Sequence, residues 1–357
     1  EGLATGISVI VSSPQTSGLG YKYLSNFGNR IAFTCNDKSE YGVLFDRCRI
    51  EPRNTPGRAL MKFDKTLYEL QTYISFEGDK EIERAKAMKE FINATNLQYE
   101  DLPGAKKIPG IPELLTMDYI HKHYQCPAGG TIPFALDYTT VDLVSLDTDT
   151  LFELALIGND YPPKLDFLRM IAATLKKKLS AYPVKVYIID GIERRLQEME
   201  DDHFVEKYTI DFNEAITVLE EVEQELASRY ELLMIEGLDG LAQHPLLLII
   251  LNSRDTIEHI STTRDSMNLY TKIAKQYKGL KVLFIFADVE DAPVTYNSPE
   301  LIKRLKEVRK TLIFSEINDI RFFDLPIAAT RRFAKPLDTG DAFYLMGGEF
   351  SKIKIVM

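Results

Sequence analysis

The residues best suited to chemistry lie in one loop, GNDYPPKL at 158–165. Against the phosphate-binding pattern G-x-x-x-x-G-K-[ST], Gly158 and Lys164 fall in register, but Pro163 replaces the second glycine and Leu165 replaces the hydroxyl residue. Pro163 has no N–H to donate to a phosphate, and Leu165 cannot ligate Mg²⁺. Losing two or three such contacts would weaken nucleotide binding by roughly two orders of magnitude or more. The residues of this degenerate loop that would face a nucleotide are Gly158, Asn159, Asp160, Pro163, Lys164 and Leu165. A strand–loop–helix corner without any ligand is the alternative.

The acidic residue that normally orients Mg²⁺ and water at such a site is also altered. It would end the very apolar stretch PLLLIILN at 245–252, where Asn252 stands, and the next acid is Asp255. Asn252 brings no negative charge, so this degenerate position predicts a lower metal affinity. Asp190 is the other candidate for the metal, although a strand-end residue that caps the following turn explains it equally well.

The elements that would position these residues alternate in type from residue 134 onward. The predicted strands are 151–158, 184–190, 245–252, 280–288 and 311–316, and the predicted helices are 164–181, 211–230, 264–278 and 298–310. The strands are almost continuously apolar, as expected for strands covered on both faces. Asp211 and Glu214 open one helix in capping-box spacing. The alternation predicts an α/β fold with a parallel-rich sheet flanked by helices and any ligand beyond the carboxyl ends of the strands.

The N-terminal third has a different organisation. GISVIVSSP at 6–14, rich in β-branched residues, predicts a buried strand, and NRIAFTC at 29–35 predicts a second one. Residues 56–75 alternate as a hairpin does, and 79–96 carry apolar residues at helical spacing. The stretch at 102–115 holds three prolines and two glycines, which predicts a linker. This order is that of the end of one domain, a connector helix, a linker and a second domain.

An internal repeat supports two domains. Residues 340–355 align with 57–72 at a constant offset of 283 (340 − 57), so that Gly57 matches Gly340. The two segments are interpreted as equivalent closing hairpins of two homologous domains, the first of which lacks its front half. Chance likeness of two hairpins is the alternative.

Composition excludes several classes of protein. The 357 residues include 43 Lys+Arg and 53 Asp+Glu, a net charge of −10 that gives no general attraction to nucleic acid. The longest uncharged apolar stretch is too short for a membrane helix, and the N-terminus has no signal-peptide pattern. The three cysteines are odd in number and irregularly spaced, which favours reduced thiols. His121, His123 and Cys126 have no fourth ligand nearby, so no metal site is predicted.

Together, GISVIVSSP, NRIAF, PGRALM at 56–61 and the degenerate loop resemble the FtsK/SpoIIIE-type coupling ATPase of the type VII secretion system, most closely the C-terminal region of its firmicute, EssC-type form. The resemblance covers essentially the whole chain. It implies a RecA-like P-loop NTPase fold with a closing antiparallel hairpin. Residues 1–78 would be the C-terminal part of a preceding RecA-like ATPase domain, 79–108 the connector helix and linker, and 109–357 the complete C-terminal RecA-like domain.

The resemblance also implies a membrane-associated motor with a role in virulence. Its RecA-like domains lie at the cytosolic face of the bacterial cell membrane, which this soluble fragment would reach only through the rest of the full-length protein. Expected partners are small secreted helical-hairpin proteins of the WXG100 type, the other domains of the motor and other subunits in a ring, and not nucleic acid. ATP and Mg²⁺ would bind weakly, and the C-terminal domain would serve substrate recognition.

In this family an arginine at the position of Arg30 is usual near the nucleotide of a neighbouring subunit. Arg30 is therefore a candidate arginine finger and Arg58 a weaker one, while a purely structural role for Arg30 is equally well supported. The C-terminal domain is expected to lack an equivalent of NRIAF. The alternative function is an active ATP-binding and ATP-hydrolysing motor that drives protein export, since Gly158 and Lys164 survive. DNA translocation is disfavoured by the net charge.

Overall fold

The computed structural model describes residues 6, 8–102, 110–241 and 243–357. The chain divides into two units, Glu1–Lys106 and Lys107–Met357. Residues 103–109, half of the predicted linker at 102–115, lie outside the described residues. No helix in the described part of the chain is long and apolar enough to cross a membrane.

The first unit is built on a three-stranded antiparallel sheet. Its strands are β1 (Ile31–Phe33), β2 (Arg58–Phe63) and β3 (Thr66–Gln71), and its helices are α1 (Gly20–Leu24), α2 (Ser39–Leu44) and α3 (Glu81–Gln98). The predicted hairpin is confirmed: Asp64 and Lys65 join β2 to β3 with φ of 43° and 68°, the left-handed turn that matches the twist of a two-residue hairpin. α3 confirms the helix predicted at 79–96, and most of its large apolar side chains are exposed.

The prediction of a buried strand at 6–14 is wrong for the residues that the structure describes there. Residues 8–14 form no strand, and Val9, Ile10 and Val11 are 65%, 97% and 43% exposed. Ile7 lies outside the described residues. β-branched residues favour a strand only where a neighbouring strand pairs with the backbone and a core covers the side chains. The described sheet of this unit, β1-β2-β3, does not include this segment.

The second unit holds a ten-stranded sheet with helices on both faces. Its strands are β4 (Thr131–Asp137), β5 (Leu143–Asp147), β6 (Glu153–Ile157), β7 (Val184–Asp190), β8 (Val205–Thr209), β9 (Leu246–Asn252), β10 (Val282–Val289), β11 (Lys310–Ile313), β12 (Asp341–Met346) and β13 (Glu349–Ile355). Its helices are α4 (Met117–His123), α5 (Tyr161–Lys178), α6 (Phe212–Glu236), α7 (Arg254–Thr262), α8 (Arg264–Gln276), α9 (Glu300–Val308) and α10 (Ile327–Arg332). Two apolar cores lie on the opposite faces of this sheet.

The order of the strands is β5-β4-β13-β12-β11-β6-β10-β9-β7-β8. The six strands from β11 to β8 are mutually parallel, and the remaining four pair antiparallel. β6 and β9 are buried along their whole length, as their continuous apolar character predicts. Because the carboxyl ends of parallel strands meet at one edge, the residues that follow β6, β7, β9 and β10 come together there.

The internal repeat corresponds to two hairpins with the same bounds and register. Adding 283 to the bounds of β2 gives those of β12, and Arg58 pairs with Gln71 as Asp341 pairs with Lys354. Gly57 and Gly340 precede these strands with φ of +80° and +79°, which L residues rarely adopt. The two hairpins are therefore equivalent in structure.

The strand NRIAF also has a counterpart in the second unit, contrary to expectation. β1 pairs antiparallel with β2, and β11 pairs antiparallel with β12. Ile31 faces Met61, and Leu312 faces Tyr344, which is the residue equivalent to Met61 at the offset of 283. Ile31 therefore corresponds to Leu312. Arg30 then corresponds to Thr311. The second unit therefore has the same strand, β11, with a threonine in place of the arginine. Because the residues differ, the sequence alone does not reveal the correspondence.

α6 begins at the predicted position but not with the complete predicted cap. The Asp211 carboxylate accepts hydrogen bonds from the backbone N–H groups of Asn213 and Glu214 at 2.8 and 3.1 Å. The Glu214 side chain instead accepts a hydrogen bond from the Thr209 hydroxyl. Only the first half of a capping box is present, because the Glu214 side chain accepts from Thr209 and not from the backbone N–H of Asp211.

Candidate functional site

The loop after β6 offers few donors to a phosphate. α5 begins at Tyr161, and its next two residues are Pro162 and Pro163. The first turn of a helix normally presents free backbone N–H groups to an anion, but here two consecutive residues have none. Sequence reasoning used Pro163 and overlooked Pro162, although both are visible in the loop. The Asp160 side chain does not cap the helix.

Gly158 has a packing role at the start of this loop. Its φ is +154°, and a Cβ at this position would lie 3.2 Å from the Cβ of Phe314, which follows β11. Glycine is therefore needed where β6 and β11 end close together. Leu165 packs partly buried against the core. The two positions are explained without a nucleotide.

Lys164 points back into the protein. Its side chain is buried, and Nζ donates a hydrogen bond to the carbonyl oxygen of Gly158 at 2.8 Å. Burial lowers the pKa of its ammonium. Nζ also lies 4.9 Å from the centre of the Tyr161 ring, and the Arg195 guanidinium carbon lies 3.5 Å from the same centre. Both cations near the loop thus face one aromatic ring rather than an open phosphate site.

Tyr161 and Arg195 are site residues that sequence reasoning missed. Burial, together with the nearby negative charge of Asp288, raises the pKa of Tyr161. Tyr161 stands inside the predicted loop, so it could have been considered. Arg195 comes from the segment after β7, and no local pattern indicates that its side chain returns to this loop.

Beside the loop lies the loop cavity, which has a volume of about 550 Å³. The carboxylates that line it are Asp160, Asp166, Glu316, Asp319, Asp338 and Asp341. Among the described residues no lysine or arginine lines it. Asn159 also lines the cavity, and its Oδ1 accepts a hydrogen bond from the backbone N–H of Asp291 at 3.1 Å. Asp166 pairs with Arg169, and Asp341 pairs with Lys352 and Lys354, but the other four carboxylates form no ion pair among the described residues. The remaining negative charge would repel a polyphosphate.

Asn252 and Asp190 form one buried network at the ends of β9 and β7. Asn252 Nδ2 donates to Asp190 Oδ1 at 2.8 Å, and both residues are 1% exposed. The Asp190 carboxylate also accepts hydrogen bonds from the backbone N–H groups of Gly191 and Leu196 and from the Tyr208 hydroxyl, at 2.8–2.9 Å. Both Asp190 oxygens are therefore occupied, and the turn-capping explanation of Asp190 accounts for its contacts.

Asp255 lies in the first turn of α7 and lines a separate cavity of about 340 Å³ beyond the ends of β7, β9 and β10. In the described ranges, no group of three or more His, Cys, Asp or Glu side chains is arranged to hold a metal ion.

Arg30 belongs to the first unit, where each of its three guanidinium nitrogens donates a hydrogen bond to a backbone carbonyl. It donates hydrogen bonds to the carbonyl oxygens of Phe27, Leu44 and Leu24 at 3.0, 2.8 and 3.0 Å. Leu24 and Leu44 end α1 and α2, so Arg30 ties two helix C-termini to β1. This geometry favours the structural role, and the arginine-finger role stays a prediction. The Nε of Arg58 is buried without a hydrogen-bond partner among the described residues.

Comparison with known proteins gives a consistent result, although no family model matches the chain. The chain is 25% identical, over 99% of its length, to the ESX secretion system protein EccC of Geobacillus thermodenitrificans, and covers 24% of that protein. It is 22% identical, over 100% of its length, to the type VII secretion system protein EssC of Staphylococcus aureus, and covers 23% of it. The chain is thus similar over its whole length to the EccC and EssC secretion proteins. It spans about a quarter of the length of these curated relatives.

Solved EccC and EssC structures share the fold. The structure of EssC ATPases 2 and 3 from Geobacillus thermodenitrificans matches with a TM-score of 0.61 at 24% identity, over 96% of this chain and 63% of that one. Thermomonospora curvata EccC ATPases 2 and 3, solved in complex with a signal sequence peptide, matches with a TM-score of 0.55 at 17% identity, over 95% and 60% of the two chains. The predicted resemblance and the RecA-like α/β fold are confirmed.

Proposed function

We propose that this chain is a cytosolic module of a type VII secretion ATPase that recruits small WXG100-type proteins, and that its second unit binds Mg·ATP weakly and hydrolyses little of it. One observation carries the nucleotide part: the buried Lys164 ammonium is bonded to the Gly158 carbonyl, behind a helix start formed by Pro162 and Pro163. The acidic lining of the loop cavity would also repel the phosphates of a nucleotide. Asn252 is neutral and is bonded to Asp190, so it offers no negative charge to a metal ion.

The energetic cost of these features is large enough to weaken nucleotide binding strongly. Each missing charge-assisted hydrogen bond to a phosphate costs about 1.5–3 kcal/mol. Two missing N–H groups therefore weaken binding by about 3–6 kcal/mol, or roughly a hundredfold or more. To reach a phosphate, Lys164 would also have to break its bond to Gly158 and expose its charge.

The partner part rests on the relatives. The Thermomonospora curvata EccC structure contains a signal sequence peptide, and a domain of the same fold with a weakened nucleotide site is suited to such reception. In the full-length motor, we place the chain at the cytosolic face of the membrane, within a ring of subunits.

The domain organisation belongs to the same proposal: residues 1–78 are the C-terminal part of one RecA-like domain, 79–108 the connector and linker, and 109–357 the next domain. The equivalence of the two hairpins supports it. So does the exposed face of the first sheet, where Ile31 is 52% exposed while its counterpart Leu312 is fully buried in the second unit. That face is what a RecA-like core would cover.

The nucleotide part is tested by calorimetric titration of Mg·ATP, at protein concentrations that detect dissociation constants up to about a millimolar. The wild type is compared with Lys164→Met, which keeps the length of the side chain, and with Lys176→Met, a control on the exposed face of the same helix. We expect binding too weak to saturate in any of the three, which corresponds to a dissociation constant above about a millimolar. Saturable binding that only Lys164→Met abolishes would overturn the proposal.

The partner part is tested by fluorescence anisotropy of a labelled synthetic peptide, the C-terminal segment of a WXG100-type protein from the same bacterium. We expect saturable binding to the full chain, without nucleotide. Absence of binding, with the chain shown to be folded by circular dichroism, would refute the recruiting role.

An active ATP-driven export motor is the second candidate function. It is favoured by the survival of Gly158 and Lys164 in register with the phosphate-binding pattern. Under this alternative, Tyr161 would have to leave the two cations when the nucleotide enters. The same titration, followed by a phosphate-release assay, separates the two functions.

A further inference from the structure

Asp288 stands one residue before the end of β10, and its carboxylate lies at the start of α7. Its Oδ2 accepts a hydrogen bond at 3.0 Å from the backbone N–H of Arg254, the first residue of that helix. The free N–H groups and the dipole of a helix start favour a negative group there. Ser253 caps α7 locally, since its hydroxyl accepts from the N–H of Thr256 at 3.3 Å. Asp288 is therefore a second acceptor, brought to this helix from 34 residues further along the chain.

The charge of Asp288 also acts on the cations beside the degenerate loop. Burial lowers the pKa of the Lys164 ammonium, while the negative charge of Asp288 opposes this shift and the positive charge of Arg195 adds to it. Asp288 and Tyr161, whose ring lies near both cations, line the same cavity of about 340 Å³. We call it the α7 cavity. A carboxylate of the protein thus interacts with a helix start and with the two cations that a phosphate would otherwise meet.

The charges around Tyr161 balance without any ligand. Lys164 and Arg195 are positive, and Asp288 is negative. Glu193, which also lines the α7 cavity, offsets Arg195 at 3.8 Å. A phosphate would add negative charge to this balanced group, and it would have to compete with the Asp288 carboxylate for the helix start.

We propose that Asp288 is a built-in anion: its carboxylate takes the place of a phosphate group at the start of α7 and keeps phosphate out of the α7 cavity. The inference rests on the nucleotide part of the proposed function and deepens it. Pro162 and Pro163 remove donors from the start of α5, whereas Asp288 occupies a donor at the start of α7. Removing this carboxylate should therefore open an anion site that the wild type does not offer.

The test is chemical rescue of Asp288→Ala in the full chain, with inorganic phosphate as the probe. The substitution removes the carboxylate and leaves the Arg254 N–H and both cations in place. Thermal unfolding is followed by circular dichroism at increasing phosphate and constant ionic strength, so that general screening does not change. We expect saturable stabilisation of Asp288→Ala with half-saturation near about 10 mM, and a value at least about tenfold higher for the wild type. A carboxylate with a merely structural role would destabilise the chain when lost, but added phosphate would not restore it.

Two further variants make the test specific. Asp255→Ala is the matched control: it removes the same charge from the same cavity and from the first turn of the same helix, but Asp255 is not the acceptor of the Arg254 N–H. We expect no saturable effect of phosphate on it. Asp288→Asn keeps the size of the side chain and removes only its charge, so it carries the test if Asp288→Ala does not fold. Its half-saturation should lie about threefold above that of Asp288→Ala, because the amide still fills part of the site.

Each outcome decides the role of Asp288. Absence of saturable stabilisation in the folded Asp288 variants would overturn it and leave the weakened loop intact. Equal stabilisation of Asp255→Ala would also overturn it, because the loss of any negative charge in the cavity would then suffice. Equal half-saturation in the wild type would show that Asp288 excludes nothing. Saturable binding of Mg·ATP to the wild type, in the titration above, would refute the nucleotide part of the proposed function, and the phosphate series would still decide the role of Asp288 by itself.

Discussion

Replacing Asn252 by aspartate restores the acid that a nucleotide-hydrolysing site would have, and we expect it to damage the protein. Asn252 donates to the Asp190 carboxylate at 2.8 Å, and both residues are 1% exposed. Asn252→Asp would place two carboxylates in contact away from water. At about 3 Å and an effective dielectric constant of about 20, two unit charges repel by about 5–6 kcal/mol.

A proton relieves this repulsion at a smaller cost. The new carboxyl has a pKa of about 3.9 in the unfolded chain, so protonating one carboxyl of the folded pair costs about 4 kcal/mol at pH 7 and about 1.5 kcal/mol at pH 5. The folded state then binds one proton more than the unfolded state. Stability of Asn252→Asp relative to the wild type must therefore fall as the pH rises between these values.

The assay is urea unfolding followed by circular dichroism, since the chain has no tryptophan. Wild type, Asn252→Asp and Asn252→Leu are compared between about pH 5 and about pH 8. Asn252→Leu has a similar shape, loses the same hydrogen bond and carries no titrating group, so its destabilisation should not vary with pH. A loss for Asn252→Asp that is equal at both pH values, or larger at the lower one, would refute the reasoning.

Removing the Arg304 guanidinium leaves the buried Glu153 carboxylate without its bidentate partner, so we expect Arg304→Met to lower the free energy of unfolding by about 3–5 kcal/mol. A loss below about 1 kcal/mol in urea unfolding would contradict this. Burial lowers the pKa of the Lys164 ammonium, so the unfolded chain binds that proton more tightly than the folded protein does. The free energy of unfolding of the wild type, relative to that of Lys164→Met, should therefore rise as the pH increases toward 10.5, the ordinary pKa of this group. Thermal unfolding over a pH series measures the sign of this difference, and a fall would refute it. Gly340→Ala puts a Cβ at φ +79° and 3.0 Å from a sulfur, so it should cost about 1–2 kcal/mol. Gly348→Ala, with open space around the new Cβ, is the control in the same unfolding assay, and equal effects would exclude strain as the cause.

The structure gives the weakened nucleotide site a physical description beyond missing motif residues. Tyr161 holds the two cations nearest the loop, Lys164 and Arg195, against one ring. Asn252 satisfies Asp190 instead of leaving a free carboxylate for a metal. Restoring one residue of the phosphate-binding pattern would therefore not restore the site, because Lys164 and Asn252 are each bonded to another group of the protein.

Local patterns in the sequence determined much of the fold. β9 is apolar at every position except its last, and a strand buried on both faces requires that pattern. The two hairpins repeat the same alternation and the same leading glycine, and the structure gives them the same register. Pro162 and Pro163 remove helix-start donors in any fold. These features depend on residues close together in the chain.

Only the tertiary structure decided which of these elements became neighbours. Asn252 meets Asp190 and Arg195 meets Tyr161 across long separations, because parallel strands bring their carboxyl ends to one edge. The apolar segment at 8–14 shows the converse: its residues favour a strand, but the described sheet of its unit does not include it. The spacing of apolar residues indicates which face of an element is buried. It does not indicate which other element covers that face, because that contact is made by residues far away in the sequence.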